Sequence, residues 1–372
     1  GKSASKLHSK KLLLDSNNMN IAITADIHLK EQNETPDRYN AVENIFNECI
    51  SKQITTLLIA GDTFDKDFFQ YQSFDKICEK FKDIKVLIIP GNHDIEIKQE
   101  FFTSSNIEII NSISQKTFDG VPFLFIPYIS TKTKDEILIE FISKNKPDNW
   151  VLVGHGDYIS TNWQTNLYEP GTYMPLSAAA INKYNPVKVF LGHIHKTGNF
   201  GKKVYYPGSP FPLNITETGK RQFIIYATET NTITNQFIQT EKIHFIEEIL
   251  TFPVENEIDL IKKQIDQIIK NWELSNEELH YVKLRLKVGG FTNNLLSLKG
   301  TIINFLSTYG ISLYDEEGPD LTDVKVLNTL SDERIFIFNK VKQEIEKLEM
   351  RNFLATKEQV LEKAMELIFG EK

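Results

Sequence analysis

The sequence contains little cysteine and no apolar run long enough for a membrane-spanning helix. Two cysteines, Cys49 and Cys78, occur in 372 residues, and they form no C-x-x-C pair. Their scarcity and spacing argue against a disulfide framework and a cysteine-based zinc site, and they favour a reducing compartment. We therefore predict a cytoplasmic protein without a membrane partner.

The sequence also lacks a basic excess and a nucleotide-binding phosphate loop. Lys and Arg total 42 and Asp and Glu total 50, which gives a net charge of −8. A free-standing DNA-binding domain normally carries a basic excess, so a DNA substrate would require local basic clusters or a partner. Because no G-x-x-x-x-G-K-[ST] segment occurs, any ATP hydrolysis must come from another polypeptide.

The length and the order of the sequence patterns predict several domains. Residues 1–18 are polar, so we expect an unstructured leader or an added remnant there, with Met19 as the native start. Residues 19–244 alternate strand and helix patterns and end in short strands that imply a second sheet. Residues 245–331 predict a small α+β unit, and residues 332–372 predict two amphipathic helices.

Polar segments with metal-binding side chains follow five predicted buried strands. The strands are 21–25, 57–60, 86–89, 151–153 and 189–191, and the segments after them are Asp26-Ile27-His28, Gly61-Asp62, Gly91-Asn92-His93-Asp94, Gly154-His155 and Gly192-His193-Ile194-His195. In an open α/β sheet, ligands collect beyond the carboxyl ends of the strands. Carboxylate, imidazole and amide groups suit divalent transition metals, so the full set predicts a metal centre, whereas one segment alone would indicate a capped turn.

This series resembles that of the calcineurin-like metallophosphoesterases over residues 19–238. Two further segments, Gly61-Asp62-Thr63-Phe64-Asp65 and Tyr206-Pro207-Gly208-Ser209-Pro210, are similar to those of SbcD-type nuclease subunits of the double-strand-break repair complex. That branch often has Ser-Phe-x-Glu where this chain has Asn214-Ile215-Thr216-Glu217. The resemblance implies an α/β fold with a two-sheet sandwich flanked by helices, a small α+β cap domain and a C-terminal helical hairpin.

The resemblance also implies two divalent metal ions per chain. One ion would be bound by Asp26, His28, Asp62 and His195, and the other by Asp62, Asn92, His155 and His193. Asp62 would bridge the ions, since a carboxylate can offer one oxygen to each. We predict manganese, although zinc and iron are also compatible with these ligands.

The same resemblance implies supporting roles for residues beside the ligands. His93 would protonate the leaving oxygen. The alternative role for His93 is a hydrogen bond within its own turn. Asp65 and Asp94 would hold imidazoles from a second layer, with turn capping as the alternative. Ser209 would contact the substrate. The aromatic residues Phe64, Phe68, Phe69, Tyr71 and Phe74 indicate either a core cluster or a surface that stacks on bases.

The leading hypothesis is a metal-dependent DNA nuclease subunit acting in repair and recombination. The resemblance implies 3′→5′ exonuclease activity on duplex DNA and endonuclease activity on single strands, with an SbcC-like coiled-coil ATPase docked on residues 332–372. The alternative for those residues is packing on their own chain, and a homodimer is left open. The rival functions are a small-nucleotide phosphodiesterase or protein phosphatase on the same metal core, and a scaffold with a vestigial site.

Overall fold

A computed structural model describes residues 19–65, 69–142, 147–160, 171–254, 256–327, 332–350 and 354–369. The predicted leader, residues 1–18, lies outside these ranges. The chain divides into two compact units, one of Gly1–Phe211 with Lys220–Thr240 and the other of Pro212–Gly219 with Glu241–Lys372. The finer boundaries expected after residues 244 and 331 stay a prediction. Within the described ranges, no helix has the length and apolar character required to cross a membrane.

The first unit contains fourteen strands, four α-helices and a short 3₁₀ helix, Gln99–Phe101, in its described residues. The strands are β1 (Asn20–Thr24), β2 (Thr56–Ala60), β3 (Lys85–Ile89), β4 (Ile107–Ile109), β5 (Ser114–Phe118), β6 (Val121–Ile126), β7 (Val151–His155), β8 (Tyr158–Ile159), β9 (Leu176–Ser177), β10 (Lys188–Gly192), β11 (Gly198–Phe200), β12 (Val204–Tyr206), β13 (Gln222–Ala227) and β14 (Thr232–Phe237). The helices are α1 (Pro36–Ser51), α2 (Phe69–Lys80), α3 (Lys134–Ile142) and α4 (Ala178–Tyr184).

Twelve of these strands form two six-stranded mixed sheets, which confirms the predicted α/β sandwich, and β8 and β9 pair with each other. The first sheet has the order β14-β13-β1-β2-β3-β4 and the second has the order β11-β12-β10-β7-β6-β5. The late short strands were expected to form a second sheet of their own, but they extend both sheets at their edges. Their pairing explains this, because β13 runs antiparallel to β1 and sets Tyr226 opposite Ile21 and Ile224 opposite Ile23.

Apolar side chains from both sheets meet in one core. Ile23 and Leu58 of the first sheet lie in the same buried cluster as Phe125, Val153 and Phe190 of the second. The opposite face of the second sheet is also buried, since Leu152 and Leu191 pack with residues of α3 and α4. Strands covered on both faces read as continuous apolar runs, which is why the ends of β7 and β10 could be located from sequence.

The second unit is a parallel sheet with helices. Its elements are β15 (Ile243–Thr251), α5 (Glu257–Asn271), α6 (Asn276–Leu279), β16 (Val282–Thr292), α7 (Leu295–Thr308), β17 (Ser312–Leu313), β18 (Asp320–Val326), α8 (Asp332–Lys347) and α9 (Lys357–Phe369). Strand β16 is central, because it pairs in parallel with β15, β17 and β18. Ile265 of α5 and Ile302 of α7 pack on Leu284 of β16, as expected from their helical spacing.

The terminal hairpin, α8 and α9, packs within this second unit. The predicted capping box opens α9, since the Thr356 N–H donates to Gln359 Oε1 at 3.0 Å and the Gln359 N–H donates to Thr356 Oγ1 at 3.3 Å. Phe338 and Met365 lie in one buried cluster with Phe252 and Phe291. One face of the hairpin is therefore covered by its own chain.

Candidate metal centre

The ends of five strands, three from one sheet and two from the other, bring the predicted ligands together. Asp26 and His28 follow β1, Asp62 follows β2, and Asn92 and His93 follow β3 in the first sheet. From the second sheet, His155 ends β7, and His193 and His195 follow β10. The sequence pattern located the strand ends, but the division of these ends between two facing sheets is visible only in the structure.

Asp62 lies between two groups of ligand atoms. Its Oδ2 is 3.3 Å from Nε2 of His155 and 3.7 Å from Nε2 of His28. On one side, Nε2 of His155 is 2.9 Å from Oδ1 of Asn92. On the other side, Nε2 of His28 is 3.1 Å from Nε2 of His195. This arrangement suits the bridging position that the resemblance implies for Asp62.

Asp26 completes both groups. Ligand atoms of Asp26, His28 and His195 lie within 4.8 Å of one another, and so do those of Asp26, Asp62 and His155. A third group within the same limit joins His28, Asp62 and His93. His93 therefore lies beside the predicted ligands and is also close enough to be a ligand itself.

His193 has a different set of neighbours. Its backbone N–H donates to Oδ1 of Asp26 at 2.8 Å. Its ring centroid is 5.5 Å from that of His155 and 4.6 Å from that of Tyr173. Its Nε2 lies 3.8 Å from Oδ1 of Asp157. The ring thus lies next to the group around His155, on the side where Tyr173 and Asp157 meet.

Hydrogen bonds at the rear of two imidazoles leave Nε2 as the metal-binding atom. Nδ1 of His155 donates to the carbonyl oxygen of Ala60 at 2.9 Å. Nδ1 of His28 lies 3.2 Å from the carboxylate of Asp65. Because each Nδ1 carries its proton toward these acceptors, the lone pair of the neutral ring lies on Nε2. The donor set is therefore arranged for a cation and not only for mutual hydrogen bonds.

At this centre, one buried carboxylate oxygen has no hydrogen-bond partner among the residues that the structure describes. Oδ2 of Asp26 is buried and accepts no hydrogen bond from the described residues, although a buried carboxylate oxygen normally has a partner. Asp26, His28, Asp62 and His193 also have positive φ angles of 55°, 50°, 51° and 101°. Such backbone costs of order 1–3 kcal/mol each and persists where surroundings enforce it, commonly at functional sites. These residues fit a divalent metal centre.

Glycines of the motifs give the ligand rings space. A Cβ on Gly192 would lie 2.7 Å from Nδ1 of His155, and a Cβ on Gly61 would overlap the same ring. Only glycine leaves room for the imidazole at both positions. The glycines therefore do more than let the backbone turn.

The charges of the site perturb one another. Burial raises the pKa of the Asp26 carboxyl. Burial also acts to raise the pKa of Asp62, but the imidazole of His155 outweighs it and holds that pKa well below its ordinary range. Burial acts to lower the pKa of His155, but the Asp62 carboxylate raises it to about 9. His155 must therefore lose a proton before Nε2 can bind a metal ion near neutral pH.

The two predicted second-layer carboxylates have different contacts. Oδ1 of Asp65 is 3.2 Å from Nδ1 of His28 and 3.1 Å from Nδ1 of His93, so it holds both rings. Asp94 instead accepts hydrogen bonds from the backbone N–H groups of Thr63, Phe64 and Gly91 at 2.8, 3.2 and 2.7 Å. The contacts of Asp65 suit the imidazole-holding role, and those of Asp94 suit the turn-capping alternative.

Ser209 lies in the loop that follows the last histidine motif. Its side chain is fully buried, and its hydroxyl donates to the carbonyl oxygen of Phe211 at 2.6 Å. Its backbone N–H donates to the carbonyl oxygen of His195 at 3.0 Å. The structure thus shows Ser209 fixing the loop after His195, while the substrate contact stays a prediction.

Sequence reasoning missed three cations that bind backbone carbonyls of ligand histidines. Arg38 donates to the carbonyl oxygen of His28, Lys134 to that of His155, and Arg221 to that of His195. It also missed Asp157, a buried residue whose Oδ2 accepts from the Tyr173 N–H at 2.7 Å. Asp157 could have been found, because it directly follows Gly154-His155-Gly156, but no local spacing marks the three cations.

The aromatic cluster is largely core in the residues that the structure describes. Phe64 and Phe74 are fully buried, and their ring centroids lie 5.4 Å apart. Tyr71 is partly buried and contacts Phe64 with a centroid distance of 4.7 Å. Phe68 and the side chain of Phe69 lie outside the description. The described rings favour the core interpretation over base stacking.

Comparisons with known proteins find similar solved structures and a family match. The chain is similar over part of its length to three solved structures, all of low sequence identity. TT1561 of Thermus thermophilus has 13% identity and a TM-score of 0.41, with 59% of this chain and 99% of that chain covered. An archaeal phosphodiesterase has 15% identity and a TM-score of 0.33, with 59% and 100% covered. Yfce, a phosphoesterase from E. coli, has 15% identity and a TM-score of 0.31, with the same coverage.

No curated protein matches the sequence. The family whose model does match is described as calcineurin-like phosphoesterase, and the match covers residues 19–197. That segment contains every predicted metal ligand from Asp26 to His195. Residues 19–197 therefore match the calcineurin-like phosphoesterase family.

Proposed function

We propose that the chain is the nuclease subunit of a DNA repair and recombination complex, with manganese as its metal. The family match over residues 19–197 supports a phosphoester hydrolase that uses divalent metal ions. The observation that carries the proposal beyond the family is the second compact unit, with its parallel sheet and terminal hairpin. An enzyme for small esters has no need of such a unit, whereas a DNA nuclease requires surfaces that position a long substrate and bind an ATPase.

The ligand groups suit cleavage of a phosphodiester. A pair of divalent ions bound there would supply an activated water and charge stabilisation for both the attacking and the leaving oxygen. Asp62 would hold the pair together, and Asn92 would add a neutral oxygen that limits the negative charge facing the phosphate. The Asp26, His28 and His195 group and the Asp62 and His155 group give each ion its own imidazole ligands. Manganese suits this mixed nitrogen and oxygen donor set.

His93 would donate the proton that the leaving oxygen takes up. Its side chain is 27% exposed, whereas the side chain of His28 beside it is 5% exposed, so His93 is the more accessible ring. Asp65 accepts from Nδ1 of His93, which assigns proton exchange with the substrate to Nε2. Imidazole is the side chain best suited to general acid catalysis near neutral pH.

The hairpin would dock on an SbcC-like coiled-coil ATPase. Five of its large apolar side chains are exposed: Phe336, Ile337, Leu348, Leu354 and Leu367. Large apolar side chains exposed along one segment of the chain suggest an interaction site. An amphipathic coiled coil offers the complementary apolar face. The partner would also supply ATP hydrolysis, because this sequence has no phosphate loop. It would add a basic surface that offsets the net charge of −8 on this chain.

A substrate panel tests the proposal. Rates would be compared in Mn²⁺ for duplex DNA labelled at its 3′ end, single-stranded DNA, a cyclic nucleotide and a phosphopeptide, with Asp62→Asn as the inactive control. We expect kcat/KM to be largest for DNA, with mononucleotides released from 3′ ends. A higher kcat/KM for the cyclic nucleotide or the phosphopeptide would overturn the nuclease assignment and leave the family assignment intact.

A further inference from the structure

Lys134 is the first residue of α3 and is completely buried. Its Nζ donates to the carbonyl oxygen of His155 at 2.5 Å and to that of Met174 at 2.6 Å. The side chain therefore joins the end of β7, where a metal ligand lies, to the segment that leads into β9. The position is anchored further by the Lys134 backbone N–H, which donates to the carbonyl oxygen of Pro175 at 3.0 Å.

Placing a lysine here carries several costs. Burial of an amino group is unfavourable unless its N–H groups are bonded, and burial of an ammonium costs more. A positive charge at a helix N-terminus also opposes the helix dipole. An apolar side chain of similar length would fill the same space without these costs, so the two hydrogen bonds must supply something that packing does not.

The glycines on either side of His155 leave room for this lysine. A Cβ on Gly154 would lie 2.9 Å from Cε of Lys134, and a Cβ on Gly156 would lie 2.7 Å from its Nζ. Both distances are shorter than real Cβ contacts allow. The segment Gly154-His155-Gly156 is thus shaped around the lysine as well as around the metal ligand.

We propose that Lys134 is a positioning residue that fixes His155 in the orientation required to bind the second metal ion. Ala60 holds the ring of His155 through Nδ1, and Lys134 holds its backbone through the carbonyl oxygen. Two fixed points determine the direction of Nε2 toward Asp62 and Asn92. Either protonation state of Nζ provides the N–H donors, so the role does not depend on its charge. The inference concerns the metal centre and holds for any phosphoester substrate.

Lys134 also holds the segment around Tyr173, which lies beside His193. Through Met174, Lys134 fixes the segment that includes Tyr173, whose ring centroid is 4.6 Å from that of His193. Asp157 accepts from the Tyr173 N–H and lies near His193. His155 and His193, both assigned to the second ion, are therefore held by contacts that converge on Lys134.

The next residue on the helix provides a matched control. Asp135 accepts hydrogen bonds from the Ser177 N–H at 2.9 Å and from the Ser177 hydroxyl at 2.5 Å. It links α3 to the same neighbouring segment, but it contacts no ligand histidine in the described bonds. Asp135→Asn, which replaces one of the two accepting oxygens by an amide nitrogen, therefore measures the effect of weakening a purely structural link. Lys134→Met measures the loss of ligand positioning.

Calorimetric titration of the full chain with Mn²⁺ tests the proposal. In a His28→Ala background, which leaves the second site as the principal one, Lys134→Met should weaken binding by about 10–100-fold, as losses of ligand-supporting residues do. Asp135→Asn in that background should bind Mn²⁺ as the background protein does. With His28 intact, Lys134→Met should retain the affinity of the first ion, and raised Mn²⁺ should restore turnover of a nitrophenyl phosphodiester.

Unchanged second-ion affinity in Lys134→Met would overturn the proposal, and so would an equal loss in Asp135→Asn. If Lys134→Met does not fold, Lys134→Gln keeps an N–H donor on a shorter side chain and permits the same comparison. A selective loss of the second ion in that variant supports the role, and an equal loss of both ions contradicts it. A chain that shows the selective loss but cleaves no DNA would contradict only the proposed nuclease function.

Discussion

At the scale of single residues, Asp62 should determine whether both ions bind. Its Oδ2 lies 3.7 Å from Nε2 of His28 and 3.3 Å from Nε2 of His155, so it faces both ligand groups. Asp62→Asn should weaken both sites, because an amide offers one neutral oxygen in place of a shared carboxylate. His28→Ala should weaken mainly one site. Metal content of the purified variants checks this, and two ions retained by Asp62→Asn would rule out the bridge.

His93 should matter for proton transfer more than for metal binding. We expect His93→Ala to keep its ions and its melting temperature but to lose about 10²–10⁴-fold in the rate of DNA hydrolysis, as expected for removal of a positioned acid. The loss should be much smaller for a nitrophenyl ester, whose leaving group requires no proton. His93 also lies close to the ligand atoms of His28 and Asp62. If His93→Ala loses a metal ion, His93 is a ligand and the proton-transfer assignment is contradicted.

Binding of the second ion should depend on pH through His155. Because Asp62 raises the pKa of His155 to about 9, the metal-free ring is protonated near neutral pH and must release about one proton on binding. Affinity should therefore rise with pH, by about tenfold per unit, and level off above the folded pKa. Titrations in buffers of different ionisation enthalpy measure the released proton, and the absence of any release would refute this assignment of protonation.

The same shift affects the stability of the metal-free protein. A pKa raised above the ordinary value of 6.5 means that the charged form of His155 is favoured by folding. Its contribution is fully present below pH 6.5 and is lost as the pH rises through about 9. Metal-free protein should therefore melt at lower temperature above that pKa than at neutral pH, and His155→Gln should remove much of that difference.

Residue types and local spacing were sufficient to find the ligands but not their supports. Asp26, His28 and Asp62 could be located because each follows an apolar strand that is recognisable by itself. Lys134 could not, since it lies in the polar segment Lys132-Thr133-Lys134-Asp135-Glu136, which reads as an exposed helix start. Its burial arises from contact with His155 and Met174, which are distant in sequence.

At the scale of elements, the hairpin α8 and α9 is part of the second unit and also offers an exposed surface. Deletion of residues 332–372 would uncover Leu250, Phe252 and Phe291, so it would test folding together with partner binding. Ile345 of α8 is itself buried. Point substitutions at exposed positions are therefore the sharper test of docking.

Phe336 and Phe338 form a matched pair on α8. Phe338 is 1% exposed, and Phe338→Ala should destabilise the second unit by about 3–5 kcal/mol. Phe336 is 63% exposed, and Phe336→Ala should change stability by less than about 0.5 kcal/mol while weakening association with the ATPase. Thermal melting and co-purification separate the two effects. Normal association of the Phe336→Ala variant would remove this side chain from the proposed contact.

The elements themselves were largely predictable, but their assignment to sheets was not. Apolar runs covered on both faces located β1, β2, β3, β7 and β10, and the alternating pattern indicated helices between strands. The distribution of β11 to β14 between two sheets depends on pairings such as Ile21 with Tyr226, which are far apart in the sequence. No local pattern contains that information.

At the scale of the whole molecule, the proposed nuclease function requires a partner, because the chain itself is acidic. With a net charge of −8, the chain alone should bind duplex DNA weakly. Addition of the ATPase and ATP should therefore increase cleavage of duplex ends far more than cleavage of short single strands. Equal stimulation of both substrates would indicate that the partner acts on the catalytic step and not on DNA capture.

The central claim is that two facing sheets bring seven ligands to one centre for two ions. Anomalous diffraction from crystals soaked in Mn²⁺ tests it most directly. We predict two peaks about 3.5–4 Å apart with Asp62 between them, one beside Asp26, His28 and His195 and the other beside Asn92, His155 and His193. A single peak at saturating Mn²⁺, or two peaks that do not share Asp62, would contradict the account.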